Sequence, residues 1–170
     1  LRGRGERSGL WAKCIPEPLI KAGEAPPAVG EQGQQEWGIK RGTGGDSVRI
    51  VIVGAGKLGY SIAGLLSNEG YEVVMIDQDE TQLEAVKNTL DVLTIRANGA
   101  SPATMADVEV RGADLLIAVT AVDEVNMIAC ILAKKHKIRH TIARIRDIEF
   151  VAAEGGYLKK TFDIDLMLNP

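Results

Sequence analysis

The run "GAGKLG", Gly54 to Gly59, spaces three glycines so that the backbone itself can bind an anion. Gly54 permits a tight turn, and Gly56 removes the Cβ that would stand in the way of a pyrophosphate. Gly59 lets a following helix pack close to the preceding strand. Free N–H groups at the start of that helix then face the phosphates, where the helix dipole also favours negative charge. Lys57 lies inside the loop and either adds a positive charge near the phosphates or stays solvated on the first helical turn. Asp77 follows about 20 residues later, the spacing at which a carboxylate accepts hydrogen bonds from a ribose 2′-OH. It would repel a 2′-phosphate, which favours NAD(H) over NADP(H). ATP, ADP and AMP keep the same free hydroxyl, so Asp77 does not separate them from NAD.

These residues need a strand before the loop, a helix after it and a second strand ending at Asp77. "RIVIV", Arg49 to Val53, is a continuous β-branched run, as expected of a strand buried on both faces. Leu58, Ile62, Leu65 and Leu66 recur on one face of a helix over 57–69, and Gly70 is placed to stop it. "EVVMID", residues 72–77, is the second strand. Asp79 opens a capping box with Gln82, and Leu83, Val86 and Leu90 give the next helix its face. "DVLTI" (91–95) is a third strand, "NGASP" (98–102) a turn into a short helix and "ADLLIAVT" (113–120) a fourth strand. A helix capped by Asp123 runs to about His136, with Ile128, Ile131 and Leu132 inward. "HTIAR" is a fifth strand, and "IDLMLNP" a sixth after a helix of undefined extent. Strands alternating with helical crossovers imply a parallel sheet covered on both faces. Right-handed crossovers with one reversal of winding give a doubly wound, Rossmann-like α/β domain of strand order 3-2-1-4-5-6.

In such a sheet, residues at the carboxyl ends of strands face one crevice. Asn98 is then placed to edge an adenine, and Thr120 and Ala121 to contact the second half of a dinucleotide. Arg144 would meet phosphate or ribose, with a surface ion pair as the alternative. Asp123 and Glu124 read as an N-cap and a first-turn acid rather than as an acid–base pair. His136 and His140 flank "KIR" at a turn and read as solvated. Tyr157 is followed four residues later by Thr161, so the Tyr-x-x-x-Lys spacing of short-chain reductases fails.

The chain has 170 residues and a net charge of −3, so no global basic balance points to nucleic acid. Cys14 and Cys130 are too few and too far apart for a metal cluster or a disulfide framework. Cys130, in "NMIACILA", reads as a small buried apolar residue. No apolar run approaches the roughly 20 residues that cross a bilayer, and no signal-peptide core is visible. The expectation is a reducing, cytosolic setting. Ten of the nineteen glycines and four of the six prolines fall in residues 1–48, without helical or strand periodicity. That stretch is expected to be disordered or foreign to the fold. Trp11 and Trp37 lie in it as candidate partner anchors. A chain that opens on Leu1 is expected to be a fragment or an extended reading of a gene start, and the stop at "LNP" points to a fragment.

"IVIVGAGKLG", Asp77, "NGASP", "ADLLIAVT", "DEVNMIAC" and "TIARIRD" together resemble the N-terminal nucleotide-binding domain of the TrkA family, the RCK or KTN domain type. The resemblance covers residues 49–170. It implies a cytosolic regulator of Trk potassium uptake that binds NAD(H), or in relatives ATP or ADP. It further implies homo-oligomers, pairs built into rings beneath an integral-membrane potassium transporter at the inner face of the membrane. The positions matching the family's nucleotide contacts are Gly54, Ala55, Gly56, Lys57, Leu58, Asp77, Thr120, Ala121 and Arg144. The expectation is a non-enzymatic nucleotide sensor without catalytic residues. The alternative is a fragment of an NAD-dependent oxidoreductase, and a purely structural module would need neither the glycine loop nor Asp77.

Overall fold

The computed structural model describes residues 47–152 and 161–169. Expectations for residues 1–46, Trp11 and Trp37 included, and for Tyr157 lie outside the described residues. Ser47 and Val48 join the fold: Val48 is buried, and its carbonyl accepts the Glu72 N–H.

The strands are β1 (Arg49–Val53), β2 (Glu72–Asp77), β3 (Leu93–Arg96), β4 (Leu115–Ala118), β5 (His140–Arg144) and β6 (Leu166–Leu168). Between them lie α1 (Lys57–Asn68), α2 (Glu80–Lys87), α3 (Pro102–Ala106), α4 (Asp123–Lys135) and α5 (Ile148–Ala152). The sheet is six-stranded with order β3-β2-β1-β4-β5-β6, and every neighbouring pair is parallel. This is the doubly wound, Rossmann-like order expected from the alternation of elements. Val51 pairs with Val74 on one side and Leu116 on the other, so β1 sits at the centre.

The central strands bury nearly every residue, which is why their sequences run apolar without alternation. Val51, Val53, Val74, Ile76, Leu116 and Ala118 share a core with Met105 of α3 and Met127, Ala129, Cys130 and Ala133 of α4. Ile50, Ile52 and Met75 alternate to the opposite face, toward α1 and α2. The edge strands β3 and β6 are only half-buried.

Two helix faces differ from the sequence reading. On α4, Ile128 is 44% exposed and Ile131 and Leu132 are half-buried; Asn126, Met127, Ala129, Cys130 and Ala133 face inward. Small side chains let the helix lie close on β4 and β5, so bulk marks the outer edge here. On α1, Leu65 is likewise exposed, while Ile62, Ala63 and Leu66 are buried. The fourth strand is also shorter than expected. Ala113 closes a turn onto the Val110 carbonyl, and the Thr120 N–H leaves the ladder for the Asn126 side chain.

α1 ends as Gly70 implied. Gly70 has φ +82°, its N–H donates to the Ser67 carbonyl, and Tyr71 N–H donates to Leu66. This is the paired bonding of a Schellman cap. α4 ends with the same bonds, Lys137 to Lys134 and Ile138 to Ala133, but with Lys137 at φ +66°.

Candidate functional site

Because all strands run parallel, their carboxyl ends open on one edge, and the winding reverses between β1 and β4. A crevice of about 480 Å³ lies there. Gly54, Gly56, Lys57, Leu58, Asp77, Asn98, Thr120, Ala121 and Arg144 all line it. Ala55 does not. Its side chain is buried, and its N–H donates to Asp77 Oδ2 at 2.6 Å. That N–H is therefore engaged within the protein, as is the Gly54 N–H on the Ile76 carbonyl. The N–H groups left for an anion belong to the next residues along.

Those groups open α1. The first helical bond runs from Tyr60 N–H to the Gly56 carbonyl, and among the described residues no side chain caps the helix. The N–H groups of the first turn thus have no intrahelical partner. The glycines differ in what requires them. Gly54 has φ +111°, and a Cβ there would come 3.0 Å from the Thr120 nitrogen. A Cβ on Gly59 would lie 1.8 Å from the Gly54 carbonyl oxygen, so the third glycine protects the turn itself as well as the packing. Around Gly56 only Gln82 Oε1 comes within 4 Å, at 3.8 Å. The space its missing Cβ leaves opens onto the crevice.

Asp77 is oriented before anything binds. Oδ2 takes the Ala55 N–H, and Oδ1 takes the Asp79 N–H at 2.9 Å. Each oxygen keeps acceptor capacity for a hydroxyl. Asp79 caps α2 by accepting from Thr81 and Gln82 N–H. The reciprocal half of the capping box is absent, because Asp77 holds the Asp79 N–H and the Gln82 amide donates to the Asp79 carboxylate instead. The Gln82 amide holds the exposed Asp79 carboxyl below its ordinary range, with the Gln82 and Thr81 N–H groups adding to this. Asn98 closes a turn by accepting the Ala100 N–H on Oδ1. Gly99 behind it packs against Val53, where a Cβ would meet Cγ1 at 2.2 Å.

Across the crevice, Arg144 is half-buried, and its Nε is buried with no hydrogen-bond partner. It makes no ion pair among the described residues. A guanidinium without an ion pair, lining the same crevice as the open end of α1, suits an anion bound there. The alternative of a surface ion pair finds no partner there.

Asp123 corrects the sequence reading. The N-cap of α4 is Val122, and Asp123 is the first helical residue, 8% exposed. Its Oδ2 accepts the N–H groups of Arg146 and Asp147, each at 2.8 Å. A backbone-engaged acid of this kind ties α4 to the β5–α5 loop; Glu124 remains an exposed first-turn acid. Arg146 also donates to the Ala121 carbonyl. Sequence reasoning missed Gln78, Gln82, Gly99, Val122 and Val125 in the lining. It also missed Asn126, whose only signal was an amide within an apolar helical run. His136 and His140 lie at the amino end of β5 and line none of the crevice.

The topology and the site at its switch point define a Rossmann-like domain. The chain belongs to the TrkA-N domain family, which matches residues 50–170. It is 41% identical over 132 residues to the Trk system potassium uptake protein trkA homolog 1 of Methanosarcina mazei, covering 72% of this chain and 31% of that protein. The chain thus spans about a third of that relative's length. Among solved structures it is similar in fold to the TrkA-N domain of inner membrane protein ybaL from Escherichia coli. That match has TM-score 0.62 and 18% identity, over 73% of this chain and 88% of that one. It is similar also to the GsuK channel bound to NAD, with TM-score 0.60 and 14% identity, over 72% of this chain and 21% of that one.

Proposed function

We propose that residues 49–170 form a nucleotide-binding regulatory domain of a potassium uptake system. The observation that carries this reading is the arrangement around the crevice. The open first turn of α1 and Arg144, which makes no ion pair among the described residues, line the same crevice as the pre-oriented Asp77, which would take the adenosine end. NAD(H) is the favoured ligand, with ATP or ADP as the alternative. Asp77 would accept the ribose hydroxyls, and Asn98 would edge the adenine. The N–H groups after Gly56 would take the pyrophosphate, assisted by Lys57. Thr120, Ala121 and Arg144 would meet the second half of a dinucleotide. The relatives named as Trk potassium uptake proteins and the NAD-bound GsuK channel support this assignment.

The domain acts as a sensor. The charged side chains that line the crevice, Lys57, Asp77 and Arg144, each have a binding role in this reading. Homo-oligomers beneath an integral-membrane potassium transporter, on the cytoplasmic side, would convert occupancy into ring geometry. A ligand shifts such an equilibrium only by its differential affinity for the two states. Among the described residues no helix is long and apolar enough to cross a membrane.

Calorimetric titration of NADH, NAD, ATP and ADP against the chain tests the reading. Saturable binding of at least one at a single site per chain is expected. No binding of any would overturn it, and turnover of a hydroxy acid or aldehyde with NADH would overturn the sensor role.

A further inference from the structure

The register between β4 and β5 ends at Ala118 and Ala143, just short of the two residues that face the second half of the crevice. Beyond it the strand ends are joined by one side chain of α4. Asn126 is fully buried. Its Oδ1 accepts the Thr120 N–H at 2.9 Å and the Thr120 hydroxyl at 2.7 Å. Its Nδ2 donates to the Thr120 carbonyl at 3.2 Å and to the Arg144 carbonyl at 2.8 Å. One amide therefore satisfies backbone groups of both strand ends at once. Only a side chain with acceptor and donor faces has this bonding capacity. Arg144 has no ion pair to hold it among the described residues, so its placement comes from its backbone, and the Asn126 amide anchors that backbone.

We propose that Asn126 is a positioning residue for the dinucleotide. It sets Thr120 and Arg144 at the spacing that the second phosphate and second nucleoside require, without touching the ligand. This rests on the nucleotide-binding reading above. The adenosine end is built from a separate set of bonds, Asp77 to Ala55 and Asp79, and Asn98 to Ala100. Disturbing Asn126 should therefore weaken a ligand that spans the crevice and spare one confined to the adenosine end.

The test compares NADH and AMP by calorimetry on the 170-residue chain and on Asn126→Asp. The variant keeps shape but turns a carboxylate oxygen toward two carbonyl oxygens. NADH affinity should fall about tenfold or more, while AMP affinity stays within about twofold. Unchanged AMP binding also reports that the variant is folded. Asn126→Ser, smaller and uncharged, should show the same split if Asn126→Asp does not fold. Parallel loss of both ligands, loss of neither, or failure of both variants to fold would overturn the assignment. A wild-type chain that binds neither NADH nor AMP would overturn this assignment, and the nucleotide-binding reading falls with it only if ATP and ADP also fail to bind.

Discussion

The Asp77 carboxylate already holds two backbone N–H groups, from Ala55 in the glycine loop and Asp79 before α2. Its orientation is settled without ligand, so a ribose would meet an acceptor that loses no rotamer freedom on binding. Asp77→Ala should weaken NADH by about 1.5–3 kcal/mol, the scale of a hydrogen bond to a charged group. Calorimetry checks this, and an unchanged affinity would remove Asp77 from the site. The same variant leaves the buried Ala55 N–H without its partner, so the melting temperature should fall as well. Asp77 was readable from its distance beyond the glycines. Its grip on Ala55 was not, because that contact depends on how far the loop folds back toward β2.

At the scale of elements, α1 and α4 end on the same hydrogen-bond pattern with different residues in the left-handed position. Gly70 accepts φ +82° freely, whereas Lys137 at φ +66° carries the Cβ clash that this region imposes. Lys137→Gly should therefore stabilise the fold by about 0.5–1 kcal/mol, visible as a higher denaturant midpoint with an unchanged slope. A lower midpoint would show that the lysine side chain matters more than the backbone. Gly59 presents the opposite case. With the Gly54 carbonyl 1.8 Å from any added Cβ, Gly59→Ala must push α1 off the loop. A loss of about 1–3 kcal/mol or more is expected in chemical denaturation, together with weaker nucleotide binding. A variant as stable as the parent would mean that the turn can relax.

Across the sheet as a whole, ion pairs hold the amino edge among the described residues, and the crevice opens at the carboxyl edge. Arg49 Nη2 lies 2.7 Å from Glu72 Oε1, Ser47 donates to Glu72 Oε2, and the Arg49 N–H donates to Asp114. The Arg49 hydrogen bond, then the Ser47 hydroxyl, hold the Glu72 carboxyl below its ordinary range. A depressed folded-state pKa contributes stability that is present above the unfolded value and lost as pH falls through the folded one. Stability should therefore drop as pH falls below the ordinary glutamate value and through the lowered folded-state one. Glu72 is partly solvated, so its share is no more than about 1 kcal/mol. Denaturation of Glu72→Gln against pH checks it: the variant should be less stable at neutral pH and converge with the parent in acid. A constant gap would assign the effect to packing instead.

What the sequence determined by itself was local and periodic. Runs of β-branched residues marked β1 and β2, and glycine at a helix end marked the stop of α1. The alternation of strand and crossover, with the fixed hand of crossovers, left 3-2-1-4-5-6 as the order. Asn98, Thr120 and Arg144 followed from that order alone, since a parallel sheet sends every carboxyl end to one crevice. The tertiary structure decided what depends on close approach between distant segments. It turned the small face of α4 inward rather than the bulky one, because Ala129, Cys130 and Ala133 fit where Ile128 does not. It took Asp123 from its own helix end to the Arg146 and Asp147 N–H groups, and gave Asn126 the joining of two strand ends. Side-chain hydrogen bonds between segments some 20 residues apart have no period along the chain, so only the folded chain shows which of the available partners each group takes.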